Sequence, residues 1–267
     1  MDEEVEQKVR DFQRNPNYEN RVVAFYDFLG WRSKITEAGT DPEKIGRLRR
    51  AILRHTRSLS GQQQHAAPQV RFSSFSDNVV VSQPVSKIAA IHLLATLGAF
   101  QFASAADSLL VRGGVTIGWI HHDSDSVFGP ALNRAYELES EVANFPRIII
   151  DQNLIEFVDP LPFFVSAEDD IRFIDPFTPA FVKFLASLER AGTKDVYATL
   201  GFPSHGKVTL DQVPSDVMLK FALNGLKPQL RLPLPDKQWS KLAWLYDRIA
   251  GHLGVPPASS YPRNRPV

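Results

Sequence analysis

The sequence predicts an α+β fold, an antiparallel-rich sheet with helices on one face. Three observations carry this. From residue 21 to 150 the chain reads strand, helix, hairpin, helix, strand, helix, strand. The strands are short apolar runs bounded by turn residues, whereas the helices carry apolar residues at helical spacing. There is no internal repeat, and 267 residues suffice for one large domain or two small ones.

Residues 1–20 are a polar lead-in, charged and without an apolar stretch, so they are no signal peptide. Arg21 to Gly30 holds the run Val22, Val23, Ala24, Phe25, Tyr26, which reads as a buried central strand. Trp31 to Ala38 begins a helix. Asp41 caps a second, with Pro42 at its first position and Ile45, Leu48, Ile52 and Leu59 on its apolar face. Gly61 to Pro68 is a loop. Gln69 to Ser82 reads as strand, turn, strand, with Ser76, Asp77 and Asn78 at the turn.

A long helix follows, from Val85 to Leu110. His92, Gln101 and Asp107 interrupt its apolar surface, so it reads as a buried helix rather than a membrane span. Val111 to His122 is a strand with Gly113 and Gly114 at its start, where glycine permits close approach of a backbone or a ligand. Asp123 to Ser126 is a loop, Ala131 to Val142 a helix and Pro146 to Ile150 a strand. Asp151 to Val158 reads as helix and Asp170 to Ile174 as strand. Thr178 and Pro179 open a helix that stops near Gly192. Thr199 to His205 is turn-rich, Val213 to Leu226 helical, and Pro228 to Pro235 a linker. The last helix, capped by Asp236, has one stripe of Trp239, Leu242, Ala243, Tyr246, Ile249, Ala250 and Leu253. Pro256 to Val267 is expected to be a disordered tail. The expected division is 1–20 lead-in, 21–175 core, 176–255 helical C-terminal extension and 256–267 tail.

The net charge is zero, which gives no electrostatic case for nucleic acid or an anionic membrane. With no cysteine, disulfides and thiolate metal sites are excluded, and a cytoplasmic location fits. There is no P-loop, no GxGxxG and no GxSxG. His121-His122-Asp123 does not read as a metal site, because neighbouring strand residues point to opposite faces.

The chemistry concentrates on carboxylates. Asp27 ends a buried strand, where a bare charge is costly unless something pairs with it. If the hairpin lies beside that strand, Asp77 joins Asp27, and two carboxylates sharing one place call for a divalent cation.

Four motifs in order then resemble the class III nucleotidyl cyclase family: Asp27-Phe28-Leu29-Gly30, Ser76-Asp77, Arg112-Gly113-Gly114-Val115-Thr116-Ile117-Gly118, and Phe128-Gly129-Pro130-Ala131-Leu132-Asn133-Arg134-Ala135. The texts AFYDFLGW, FSDNVVVS, LLVRGGVTIG and VFGPALNRAYELE, and the C-terminal WSKLAWLYDRI, look like the bacterial Pycsar pyrimidine cyclases within it. The resemblance implies a ferredoxin-like core and a head-to-tail homodimer with active sites between subunits. It implies conversion of UTP to 3′,5′-cyclic UMP and pyrophosphate, as a second-messenger synthase in anti-phage defence. A separate effector protein would sense the product. Cytidylate cyclase, and an inactive nucleotide-binding module of the same fold, are the alternatives; an adenylate cyclase with an atypical pocket is a third.

By the same resemblance Asp27, Asp77 and the Phe28 backbone carbonyl hold two divalent ions, Mn2+ or Mg2+. Asn133 orients the ribose. The two base-reading positions fall on Ser73 and Ser126, which match neither purine pattern, and Tyr136 offers a stacking ring. The family's transition-state arginine falls on Glu137, so positive charge is expected from Arg112 or Arg134.

Overall fold

A computed structural model describes residues 17–49, 52, 70–190 and 213–263. The expectations for Leu59, Gly61–Pro68 and Thr199–His205, and most of the lead-in, lie outside the described residues. The described residues form a sheet of eight strands: seven in the order β2-β3-β1-β4-β6-β8-β7, with β5 paired to β4. Its first four strands are β1 (Glu19–Leu29), β2 (Arg71–Phe75), β3 (Asn78–Pro84) and β4 (Leu110–His122). They lie in the spatial order 4-1-3-2 and pair antiparallel throughout. With helices after β1 and β3, this is the split βαββαβ unit of ferredoxin-like folds.

β1 is the central strand because it is apolar on both faces; Val22, Val23, Ala24 and Tyr26 are fully buried. Helix α1 (Trp31–Ala38) follows Gly30, whose φ of 76° makes the turn. In the helical stretch 42–49, α2, the Asp41 carboxylate accepts from the Glu43 and Lys44 backbone N–H groups, as its expected capping role requires. Helix α3 (Lys87–Ala106) is started by Ser86, whose hydroxyl accepts from Ala89 N. It is long and apolar enough to cross a membrane, with mean hydropathy 1.6, yet two thirds of that window is buried in the protein. It ends before the expected Leu110 because Ser108 turns the chain at φ 64°; Leu110 already belongs to β4.

β5 (Val127–Phe128) leads into α4 (Pro130–Glu137), which lies on the opposite sheet face to α3, so helices cover both faces and not the one face expected. Helix was expected to run unbroken to Val142. Instead residues Leu138–Val142 form one π turn. β6 (Ile148–Ile150) pairs parallel to β4, and α5 (Gln152–Val158) follows. The hairpin β7 (Val165–Glu168) and β8 (Ile171–Ile174) completes the sheet; the first of these strands was not expected.

Helices α6 (Pro179–Arg190), α7 (Ser215–Leu226) and α8 (Asp236–Leu253) pack on the α3 face, and α8 reaches round the sheet through Trp244, which also packs on the cluster of Leu138, Ile149 and Phe173. Phe181, Leu185, Leu219, Leu223, Leu242 and Ile249 share one apolar cluster with α3 residues Leu93, Leu94 and Leu97. The expected linker contains a 3-10 turn, Lys227–Arg231. Asp236 does not cap α8: it is the helix's first residue, and its carboxylate pairs with Arg263. The expected tail is folded as far as Arg263. Ala258 is fully buried, and the Tyr246 hydroxyl donates to Tyr261 at 2.8 Å.

Candidate active site

Asp27 is placed by register. It pairs across β1–β4 with Arg112, while Tyr26 pairs with Val79 of the hairpin. One step further, the Ser76–Asp77 turn therefore falls beside Asp27. Ser76 takes a left-handed φ of 58°, which folds the two-residue turn. Arg112 Nη2 donates to Asp27 Oδ2 at 3.3 Å and also meets Glu139. Asp27 Oδ1 is buried without a hydrogen-bond partner.

Glu139 was not anticipated. On an unbroken helix, adjacent Leu138 and Glu139 would not both face the sheet. The π turn adds a residue to the ring and turns both inward, leaving Glu139 2% exposed. Gly114 makes this possible: a Cβ there would collide with Ala135 O and Leu138 Cβ. The close approach expected at the Gly-Gly pair is thus to backbone. Burial pushes the Asp27 carboxyl up, and nearby Asp77 adds to it, while Arg112 opposes. Burial and the neighbouring Asp27 push Glu139 up to about 7.

The other expected residues scatter. Arg134 is held by Asp151, with Nη2 donating to Oδ1 at 2.8 Å, and Asp151 also accepts from Thr116 Oγ1 at 2.7 Å. Its guanidinium therefore braces α4 against α5 and stands apart from Asp27. Asn133 and Glu137 are exposed on α4, and Glu137 pairs with Arg134. Tyr136 packs edge-on against Phe25 at 5.4 Å, yet stays half exposed. The Phe28 side chain is core, stacked on Trp31.

Ser126 lies at the far end of β4. From Arg112 to His122 the strand covers on the order of 33 Å at ~3.3 Å per residue. Ser126 Oγ donates to Asp123 Oδ1 at 3.2 Å. His121 also meets Asp123, at 2.9 Å, whereas His122 turns the other way, fully buried. Ser73 Oγ is 3.0 Å from His122 Nε2, and Ser82 Oγ is 2.8 Å from Nδ1. Arg21 Nε donates into one acceptor site of Ser82 Oγ at 2.9 Å. A neutral His122 ring donates from one nitrogen to its serine and accepts at the other nitrogen from the second serine. Burial first, then Arg21 and Arg71, holds His122 down at about 4, so the ring is neutral. Beside it a pocket of about 740 Å³ is lined by Glu19, Arg71, His121 and Asp123 among others.

Among the described residues no group of three or more His, Asp or Glu side chains could hold a metal ion by itself. The donor set still suits a hard cation completed by a ligand's phosphates. Asp27 offers a buried, unpartnered oxygen beside a second carboxylate.

Neither a protein-family model nor a curated protein matches the sequence. Among solved structures, the chain is similar to the monomeric guanylyl cyclase domain of the RhoGC fusion protein from the aquatic fungus Blastocladiella emersonii. Identity is 15% and TM-score 0.46, over 59% of this chain and 94% of that one. It is also similar to a class III adenylyl cyclase-like ATP-binding protein from Pseudomonas aeruginosa, at 14% identity and TM-score 0.42, over 86% of this chain and 54% of that one. Neither likeness assigns an activity to this chain.

Proposed function

We propose that the chain is a class III-type nucleotidyl cyclase. It converts a pyrimidine nucleoside triphosphate, UTP by preference, to the 3′,5′-cyclic monophosphate and pyrophosphate. The observation that carries this is the half-buried Asp27, set between Glu139 and the Asp77 turn, with its Oδ1 atom enclosed and outside hydrogen-bond geometry. Asp27, Asp77 and the Phe28 carbonyl would hold two divalent ions. Bound there, such ions supply charge neutralisation at the triphosphate and acidify the ribose 3′-hydroxyl. Arg112, fixed by Glu139, keeps Asp27 oriented toward them.

The groups that would read a base stand elsewhere. Ser73 offers a hydroxyl that suits a polar base edge, and the pocket lined by Asp123, to which Ser126 donates, lies at the far end of β4. One chain does not unite the two ends, whereas two chains packed head to tail would. Phe75, 83% exposed, shares the Asp27 face of the sheet by strand alternation, and Tyr136 lies on that face too. Two exposed aromatics there suit such a homodimer. A cytoplasmic second-messenger role in anti-phage defence, with a separate effector, follows from the sequence resemblance.

The test incubates the purified chain with each of the four ribonucleoside triphosphates and Mn2+, with products read by mass spectrometry. Cyclic UMP is expected. Cyclic CMP would move the base assignment, and cyclic AMP would overturn the pyrimidine reading. Bound nucleotide without product would establish the inactive binding module in its place.

A further inference from the structure

Both arginines that the sequence offers are committed. Arg134 is tied to Asp151 and Arg112 lies between Asp27 and Glu139. Cyclisation still requires positive charge where pyrophosphate departs.

We propose that Lys241, on the C-terminal helix α8, is the phosphate-facing cation of the Asp27–Asp77 site, so that α8 completes the active centre in cis.

Packing places α8 at this end of the sheet. Trp244 stacks on Phe145, centroids 5.1 Å apart and planes 11° apart, and Phe145 follows the π turn that carries Glu139. Trp244 also meets Phe173 of β8, and the Arg147 guanidinium lies 5.8 Å from its ring. Arg147 adjoins Ile148, which pairs with Gly113, the residue after Arg112. Lys241 is one helical turn before Trp244 and Leu245, on the same side of α8. Its ammonium stands within electrostatic reach of Asp27, Glu139 and Arg112.

Lys241 is half-buried, and among the described residues it makes no ion pair. A partly desolvated ammonium without a carboxylate contact is unfavourable until an anion docks. Burial, then the neighbouring Arg112 and Lys237 cations, lowers its pKa, as expected where cations converge on one place. A triphosphate is an anion that such a convergence fits. Lysine suits the task as a compact point charge on a flexible stem. On α4 the one cation, Arg134, is held by Asp151 and Glu137.

The inference rests on the cyclase reading, and two readouts separate their failures. Full-length wild type, Lys241→Ala and Lys241→Arg are compared after thermal melts confirm folding. Turnover is measured with all four triphosphates and Mn2+, and binding of inorganic tripolyphosphate with Mn2+ is measured by calorimetry. The expected result for Lys241→Ala is a kcat lower by on the order of 100-fold. Tripolyphosphate affinity should fall about tenfold, with Lys241→Arg recovering part of both. Wild-type kcat and wild-type tripolyphosphate affinity in Lys241→Ala overturn the proposal. If wild type yields no cyclic product but Lys241→Ala still weakens tripolyphosphate, the phosphate site stands and the cyclase reading fails. A wild type that binds no tripolyphosphate overturns the proposal as well.

Discussion

Replacing Asp175 by alanine tests whether the C-terminal helices belong to the same cooperative unit as the sheet. Asp175 is 1% exposed at the end of β8. Its carboxylate accepts from Arg248 of α8 through Nε at 3.0 Å and through Nη2, and from Ser166 Oγ at 2.8 Å. Arg248 also lies over Phe173 at 4.9 Å and Trp244 at 5.6 Å. Alanine would leave that guanidinium unpaired against apolar rings. Breaking a fully buried ion pair costs about 3–5 kcal/mol. The Arg248 side chain is 24% exposed, so water compensates in part, and the low end of about 3 kcal/mol applies. For a chain of this size that lowers Tm by roughly 6–12 °C. Arg248→Met in the same chain should recover much of the loss, because both charges are then gone. Differential scanning calorimetry should show one transition, displaced as a whole. Two transitions with the upper one unmoved, or a single shift of under about 2 °C, would refute the coupling of α8 to the sheet.

His122 makes stability depend on pH. Its folded pKa of about 4 lies below the unfolded value, so the unfolded chain binds more protons between the two. Stability is then intact above the unfolded pKa of about 6.5 and declines as pH falls toward 4, by up to about 3 kcal/mol. Urea denaturation of His122→Gln across this range should show a flatter profile than wild type, and an unchanged slope would remove His122 as the cause. Gly114→Ala places a methyl against Ala135 O and Leu138 Cβ. It should cost about 1–3 kcal/mol by overpacking and displace Glu139; a chemical melt and a crystal structure check both parts. Asp27→Asn should reduce Mn2+-dependent turnover by more than about 100-fold with far-UV circular dichroism unchanged, because the neutral isostere keeps the packing and loses the ligand charge. Near-normal turnover would remove Asp27 from the metal site.

Local chemistry alone marked much of the fold. The apolar run before Asp27 defined β1, the Ser76–Asp77 turn defined the hairpin, and Asp41 and Thr178 sit where helices begin. Thr178 Oγ1 accepts from Phe181 N at 3.2 Å, as its position implied. The opposed directions of His121 and His122 follow from strand alternation. The signal failed where the determinant was a distant partner. Asp236 looks like a cap, but its charge is taken by Arg263. Arg134 looks like a free cation, but Asp151 lies beside it after the chain returns through β6.

What the sequence by itself determined is the order and type of most elements from β1 to β6, and the placing of carboxylates at strand ends, because turn preference and burial period are local properties; β7, the π turn and the folded C-terminal segment were not among them. Tertiary structure alone decided which charges remain available. The π turn that buries Glu139 exists because Gly114 lets α4 press on β4, and no periodicity announces it. Arg112 is claimed by Asp27 and Glu139, and Lys241 comes to the same place from more than one hundred positions further along the chain. Whether a charged side chain is free is set by what packs against it, and packing between such distant residues is fixed when the sheet and its helices close.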